Sequence, residues 1–157
     1  MRTTWVEKTS QRCRVIIYLR HVSIISIAVM SQIPDDLKYT REHEWVRIEG
    51  DTVTVGITDY AQGSLGDVVY VDGLATGATI KAGATMATIE SVKAVSDIYA
   101  PVSGEVIEVN TGIAGDPGSI NREPYGNGWL FRAKGFAPAE LSALLDAVAY
   151  ADFVASL

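Results

Sequence analysis

The sequence predicts a small β-sandwich or barrel with helical decoration. Three observations carry that prediction. Short apolar runs with two-residue alternation recur from residue 44 to residue 134. Turns built on the chain's 14 glycines separate them at short intervals. A helical period appears only near the end of the chain.

Residues 1–29, "MRTTWVEKTSQRCRVIIYLRHVSIISIAV", differ in character from the rest of the chain. They hold five basic residues against one acidic, then an apolar run too short to span a membrane. Three readings compete: an Arg-rich targeting presequence, a secretory signal without a clear small-x-small cleavage site, or an over-extended gene start. "MSQIPDD" from Met30 reads naturally as an N-terminus, which favours the last. The expected organisation is therefore a leader, 1–29, with few contacts to the body, and a folded domain, 30–157.

The body begins with "EHEWVRIEGDTVTVGIT", two strands around a Glu-Gly-Asp turn, with Val46 and Ile48 on one side and Val53, Val55 and Ile57 on the other. In "TDYAQGSLG", Thr58 or Asp59 can cap a short helix that stops at Gly63 or Gly66. "DVVYVDGL" is a strand, and "ATGATIKAGATMATIES" holds turn, short strand, turn, strand. "VSDIYAPVSGEVIEVN" adds two strands around Pro-Val-Ser-Gly. "TGIAGDPGSINREPYGNG" leads to a last strand, "WLFRAKG". In the tail, Leu141, Leu144, Leu145, Val148 and Phe153 fall near one helical face. "GDVVYV" from Gly66 resembles "GEVIEV" from Gly104, and the glycine pairs 77/83 and 112/118 come after them at a similar offset, predicting two similar half-sheets.

Composition narrows the chemistry. The body holds eighteen acidic and eight basic residues, which argues against nucleic acid, because phosphate binding needs clustered Lys and Arg. An acidic surface favours partners with basic docking sites. Cys13 is the single cysteine and lies in the leader, and the only histidines are His21 and His43. No intrachain disulfide, Cys nucleophile or His-rich metal site can be built in the body. "HEW" lacks the second histidine of a zinc motif, and Ser91 has no base at a recognisable spacing. Trp45 and Trp129 read as packing residues, and Tyr125 and Gly126 as turn formers.

One lysine has an unusual setting. Between "MATIES" and "AVSDIYA" the natural connection is a tight turn at Val92-Lys93. Neither residue favours φ > 0, so a type I turn is expected. The tip would project Lys93 into solvent on a stiff support, where another enzyme could acylate it. A group tethered there gains a high effective concentration at each partner's active site.

"ESVKAVSDIYAPVSGEV" closely resembles the lipoyl-attachment segment of glycine cleavage H proteins. "LKYTREHEWVRIEGDTVTVGITDYAQGSLGDVVYV", "INREPYGNGWLFRAK" and "ELSALLDAVAY" resemble other parts of that family in the same order. The likeness spans roughly residues 33–153. It implies a barrel-sandwich hybrid fold with short helices and a C-terminal helix, and lipoic acid amide-linked at Lys93 as N6-lipoyllysine, flanked in the turn by Val92 and Ala94. Biotin carriers usually flank the lysine with methionines. Lipoyl domains of 2-oxo acid dehydrogenases usually have Asp before it and lack the EHEW segment. One departure is "DGLATG", where the family usually has Leu-Pro; this puts docking at that edge in question.

The resemblance implies a non-catalytic carrier that shuttles the aminomethyl group of glycine from glycine decarboxylase to aminomethyltransferase, with dihydrolipoamide dehydrogenase restoring the disulfide and lipoyl-attachment enzymes installing the arm. No nucleic acid or membrane is expected. The compartment is cytoplasmic, or the mitochondrial matrix if the leader is a presequence. Alternative uses are a lipoyl relay to other lipoyl domains, or a lipoyl or biotin carrier of another complex. The family's cleft segments match Glu44 and Asp97, with Glu42 and His43 nearby, as carboxylates and neighbours for a cationic aminomethyl group.

Overall fold

The structure is a computed structural model and describes residues 31–157. The expected leader, 1–29, lies outside the described residues. Among the described residues are nine strands and five short helices, in the order β1 (Lys38–Tyr39), β2 (Glu44–Glu49), β3 (Thr52–Ile57), α1 (Asp59–Leu65), β4 (Val68–Asp72), β5 (Thr79–Ile80), β6 (Thr85–Ser91), β7 (Val95–Tyr99), β8 (Gly104–Val109), α2 (Gly112–Gly115), α3 (Ser119–Arg122), β9 (Phe131–Lys134), α4 (Pro138–Ser142) and α5 (Ala147–Ala155).

Two sheets face each other. The larger has the order β1-β2-β3-β9-β8-β5 and the smaller β4-β6-β7. All pairings are antiparallel. The inward faces supply one core, with Val46, Val53, Val55, Ile89, Ile98, Val106 and Phe131 buried, and Ile113 and Ile120 of α2 and α3 closing one end. A second, aromatic cluster joins Tyr39, Trp45 and Tyr150, with Trp129 and Phe153 packed against it. The sheets do not close on themselves, as expected for a barrel-sandwich hybrid.

Local chemistry explains the boundaries. Thr58 wins over Asp59 as the cap of α1: its Oγ1 accepts the N–H of Ala61 at 3.2 Å. The helix runs past Gly63 and ends at Gly66, whose φ of +75° suits glycine. "DGLATG" is pinned without a proline: the Gly73 N–H donates to Asp72 Oδ1 at 2.8 Å, and the Gly77 N–H to the Val106 carbonyl at 2.7 Å.

Four expectations need correction. The tail is two helices, not one, because Leu145 pairs with Tyr39 through two backbone bonds of 2.8 Å, and Asp146 then caps a new helix by accepting the Ala149 N–H at 2.8 Å. Val148 faces solvent and Tyr150 takes the buried position. Ile48 is exposed despite its alternation with Val46, lying on the part of β2 beyond its pairing with β1. The internal repeat stops after its first strand: the span from Gly77 to Gly83 contains β5, while that from Gly112 to Gly118 contains α2. The sheets it was expected to build differ in size, six strands against three.

Candidate functional site

The β6–β7 connection places Lys93 at a hairpin tip. The Ser91 N–H donates to the Ala94 carbonyl at 2.8 Å, and the Ser91 hydroxyl takes the Ala94 N–H at 3.0 Å in place of a backbone acceptor. Ser91 is thus the organiser of the turn. Val92, Lys93 and Ala94 are all exposed. Two salt bridges occur among the described residues, Arg122–Asp116 and Arg132–Glu108, and neither involves Lys93.

The turn is braced from below. Its Val92 N–H donates to the Asp67 carbonyl at 3.0 Å, and Ser91 pairs with Val68. Asn121 of α3 holds that supporting segment from both sides: its Nδ2 donates to the Gly66 carbonyl at 2.8 Å, and its Oδ1 accepts the Val68 N–H at 2.9 Å. The Lys93 stem runs past Gly66, where an added Cβ would lie 3.2 Å from Lys93 Cε. Asn121 and Gly66 were not legible as parts of this site. Their signal is tertiary, since α3 lies inside a stretch that reads as a Gly/Pro-rich connection.

Glu44 is a buried carboxylate, 1% exposed. Thr40 Oγ1 donates to its Oε2, and the Tyr99 N–H of β7 donates to its Oε1 at 3.0 Å. Burial pushes its pKa up, these bonds pull it down, nearby Glu42 pushes up, and the net direction is up. The folded state therefore holds this proton more tightly than the unfolded chain. Stability from this group is greatest below the ordinary carboxylate range and is lost as pH rises through the raised pKa. Replacing Glu44 with Gln should remove that slope. In urea unfolding across a pH series, the stability of Glu44→Gln relative to the parent should grow as pH rises through this window; a flat difference would contradict the assignment.

His43 diverges from Glu44. It has φ +73°, in the turn between β1 and β2. Its Nδ1 lies 2.8 Å from the Tyr150 hydroxyl, which also meets Thr58 Oγ1 at 2.8 Å. The ring packs among Tyr60, Tyr150 and Phe153. Burial lowers its pKa, with Glu42 opposing. His43 thus ties α5 to the β1–β2 turn, and Glu42 is exposed beside it.

Asp97 lies on β7 opposite Thr88, exposed. Alternation sets Val95, Asp97 and Tyr99 on the same outward side. Four residues from Lys93 corresponds to about 13 Å along a strand. Glu44 reaches that strand two residues further on, at Tyr99. The structure thus places Asp97 on β7, Lys93 in the turn that leads into it and Glu44, from β2, bonded to its far end at Tyr99, while His43 belongs to a neighbouring aromatic cluster.

The comparisons agree with this architecture. The model of the glycine cleavage H-protein family matches residues 37–157. A glycine cleavage system H protein of Halorhodospira halophila is 53% identical over 127 residues, covering 80% of this chain and 98% of the relative. One from Rubrobacter xylanophilus is 60% identical over 105 residues, covering 67% and 83%. The crystal structure of such a protein from Mycobacterium marinum superposes with a TM-score of 0.72 at 43% identity, covering 80% of this chain and all of that one. The family carries lipoate covalently on a lysine, and its members serve the other glycine cleavage components without catalysing a step themselves. This chain belongs to the glycine cleavage H-protein family, the lipoyl carriers of the glycine cleavage system.

Proposed function

We propose that Lys93 is the residue that carries the lipoyl group. The observation that carries this reading is an exposed lysine, outside the ion pairs, on a turn braced by Ser91, Asp67 and Asn121. These residues fit the group: the tip admits an enzyme from outside, and the bracing keeps the amine in one place. Attachment uses the neutral amine. A C–N bond forms at Nζ, the activating group leaves the acyl carbon with its electron pair, and the amine proton passes to solvent. When bound, the lipoyl group supplies the disulfide–dithiol couple that carries the aminomethyl group.

Asp97 and Glu44 supply negative charge along β7 for a cationic amine, and Glu44 does so from a low-dielectric position where charge acts more strongly. Thr40 and the Tyr99 N–H hold that carboxylate in place. Glu42 adds charge at the rim, and His43 fixes the β1–β2 turn on which Glu44 rides. Partners are glycine decarboxylase, aminomethyltransferase, dihydrolipoamide dehydrogenase and the lipoyl-attaching enzymes. The setting is cytoplasmic, supported by the bacterial origin of the relatives above, which does not favour the mitochondrial alternative. Among the described residues, no helix is long and apolar enough to cross a membrane.

Intact mass with peptide mapping, on protein made in lipoate-supplied cells with an active lipoylation system, tests the attachment. A lipoyl increment on the Lys93 peptide is expected; a biotin increment, or none beside a lipoylated control domain, would overturn it. Glu44→Ala should shorten the lifetime of the aminomethyl-loaded protein while leaving lipoylation intact. An unchanged lifetime would remove Glu44 from the site.

A further inference from the structure

The turn "YGNGW" holds a bond that the carrier role does not use. Asn127–Gly128 is the chain's single Asn-Gly pair. In such a pair no side chain shields the backbone nitrogen that follows the amide, so that nitrogen can attack the amide once it is free to move. Here the fold itself demands the glycine. A Cβ at 128 would lie 2.7 Å from the Glu123 carbonyl oxygen, 2.8 Å from Ile120 Cα and 2.9 Å from the Ser119 carbonyl oxygen. Both reacting groups are tied to one residue. The Gly128 N–H donates to the Glu123 carbonyl at 2.9 Å, and Asn127 Nδ2 donates to the Glu123 carboxylate at 2.7 Å. Asn110 holds the backbone between them: its Nδ2 donates to the Asn127 carbonyl at 2.8 Å and to the Trp129 carbonyl at 2.7 Å. Gly128 is buried, whereas Asn127 and Glu123 are exposed.

We propose that Asn127 is a latent deamidation site, which Glu123 and Asn110 keep closed while the turn is folded. The reaction needs the Gly128 nitrogen to lose its proton and swing onto Asn127 Cγ. A C–N bond forms there, the bond from Cγ to Nδ2 breaks, and ammonia leaves with the proton. Water then opens the cyclic imide, at one carbonyl to give aspartate and at the other to give isoaspartate. Water replaces ammonia and nothing is oxidised or reduced. Each native bond opposes the first step. The Glu123 carbonyl holds the proton of the attacking nitrogen, the Glu123 carboxylate fixes the side-chain amide, and Asn110 keeps the peptide from turning. Deamidation therefore runs through the locally opened turn, and its rate follows the opened fraction. The product acts back on the fold. Isoaspartate lengthens the main chain by a carbon, which presses Gly128 against Ser119 and Ile120 of α3, the helix whose Asn121 braces the Lys93 hairpin.

The test ages the full chain in warm, mildly alkaline buffer and follows the amide-to-acid mass change on the peptide that contains Asn127. The folded parent should convert about a hundredfold more slowly than a synthetic peptide of residues 122–132, as expected when several hydrogen bonds must open first. Glu123→Ala should convert about tenfold faster than the parent, through loss of one charge-assisted bond. Glu123→Gln keeps an acceptor oxygen in that place and should restore most of the protection. Asn110 and Asn121, which precede Thr111 and Arg122, should stay unconverted in every chain. Equal rates in the folded parent and the peptide would overturn the proposal. So would a Glu123→Ala chain that converts no faster than the parent, or one that converts more slowly, since the carboxylate would then be acting as a base. A rise that spreads to Asn110 and Asn121 in Glu123→Ala would show opening of the whole domain and would overturn the local latch.

Discussion

Replacing Lys93 with Arg should abolish lipoylation completely while leaving the fold intact. Arginine keeps the charge and nearly the length, but its guanidinium does not lose a proton under working conditions and so offers no nucleophilic nitrogen. Nothing in the turn depends on the ammonium, because its bracing runs through the Ser91 hydroxyl, the Asp67 carbonyl and backbone groups. The unfolding transition should therefore be unchanged within about 0.5 kcal/mol, as for other exposed positions. Intact mass reads the first effect and urea unfolding the second. Both must hold together: an increment that persists in Lys93→Arg, or that maps to Lys38 or Lys81, would remove Lys93 from its role. A large stability loss would mean that the lysine also supports the hairpin.

Trp45→Ala should cost about 3–5 kcal/mol, among the largest single-residue losses available to this chain. Trp45 is fully buried. It lies opposite Gly56 on β3, where an added Cβ would come within 2.6 Å of the indole. The missing side chain of Gly56 is thus the space the ring occupies. The indole N–H donates to the Pro124 carbonyl at 2.9 Å, and the Arg47 guanidinium lies 5.0 Å over the ring. Truncation removes the burial, strands a buried acceptor and leaves a cavity between the six-stranded sheet and the aromatic cluster packed on it. Against a domain stability of about 5–15 kcal/mol, that is a large fraction. A loss below about 1 kcal/mol in urea, with unchanged m-value, would show that the aromatic cluster contributes little to holding the sheet.

The strands were legible because alternation and turn glycines both point to them. Thr58 and Gly66 marked α1 by cap chemistry alone. The tail departs from its expected single helix because helical periodicity cannot register a strand partner far away: Leu145 looks like a helix residue until Tyr39 pairs with it. The helices α2 and α3 leave no signature because each is four residues long, too short for a period to appear. At the site, Lys93 was legible from the strand spacing around it. Glu44 and Asp97 came only from family likeness, since nothing local distinguishes a buried acid from a surface one. Asn121 and Tyr150 were not legible at all, because each acts on a segment brought near by the fold; Thr40 acts within its own turn, on Glu44 four residues on, and gave no sign of it because the turn geometry is not written in the residue types.

The bond from the Tyr99 N–H to Glu44 has a consequence for self-association. β7 is an outer strand of its sheet, and such strands offer backbone donors to any passing chain. Here a carboxylate from the other sheet occupies one of those donors and stands where a further strand would begin to pair. Glu44 therefore acts as a stopper on the sheet. A variant without it gains a sticky border beside the very hairpin that must stay accessible, and its samples should form strand-paired assemblies sooner than the parent at equal concentration.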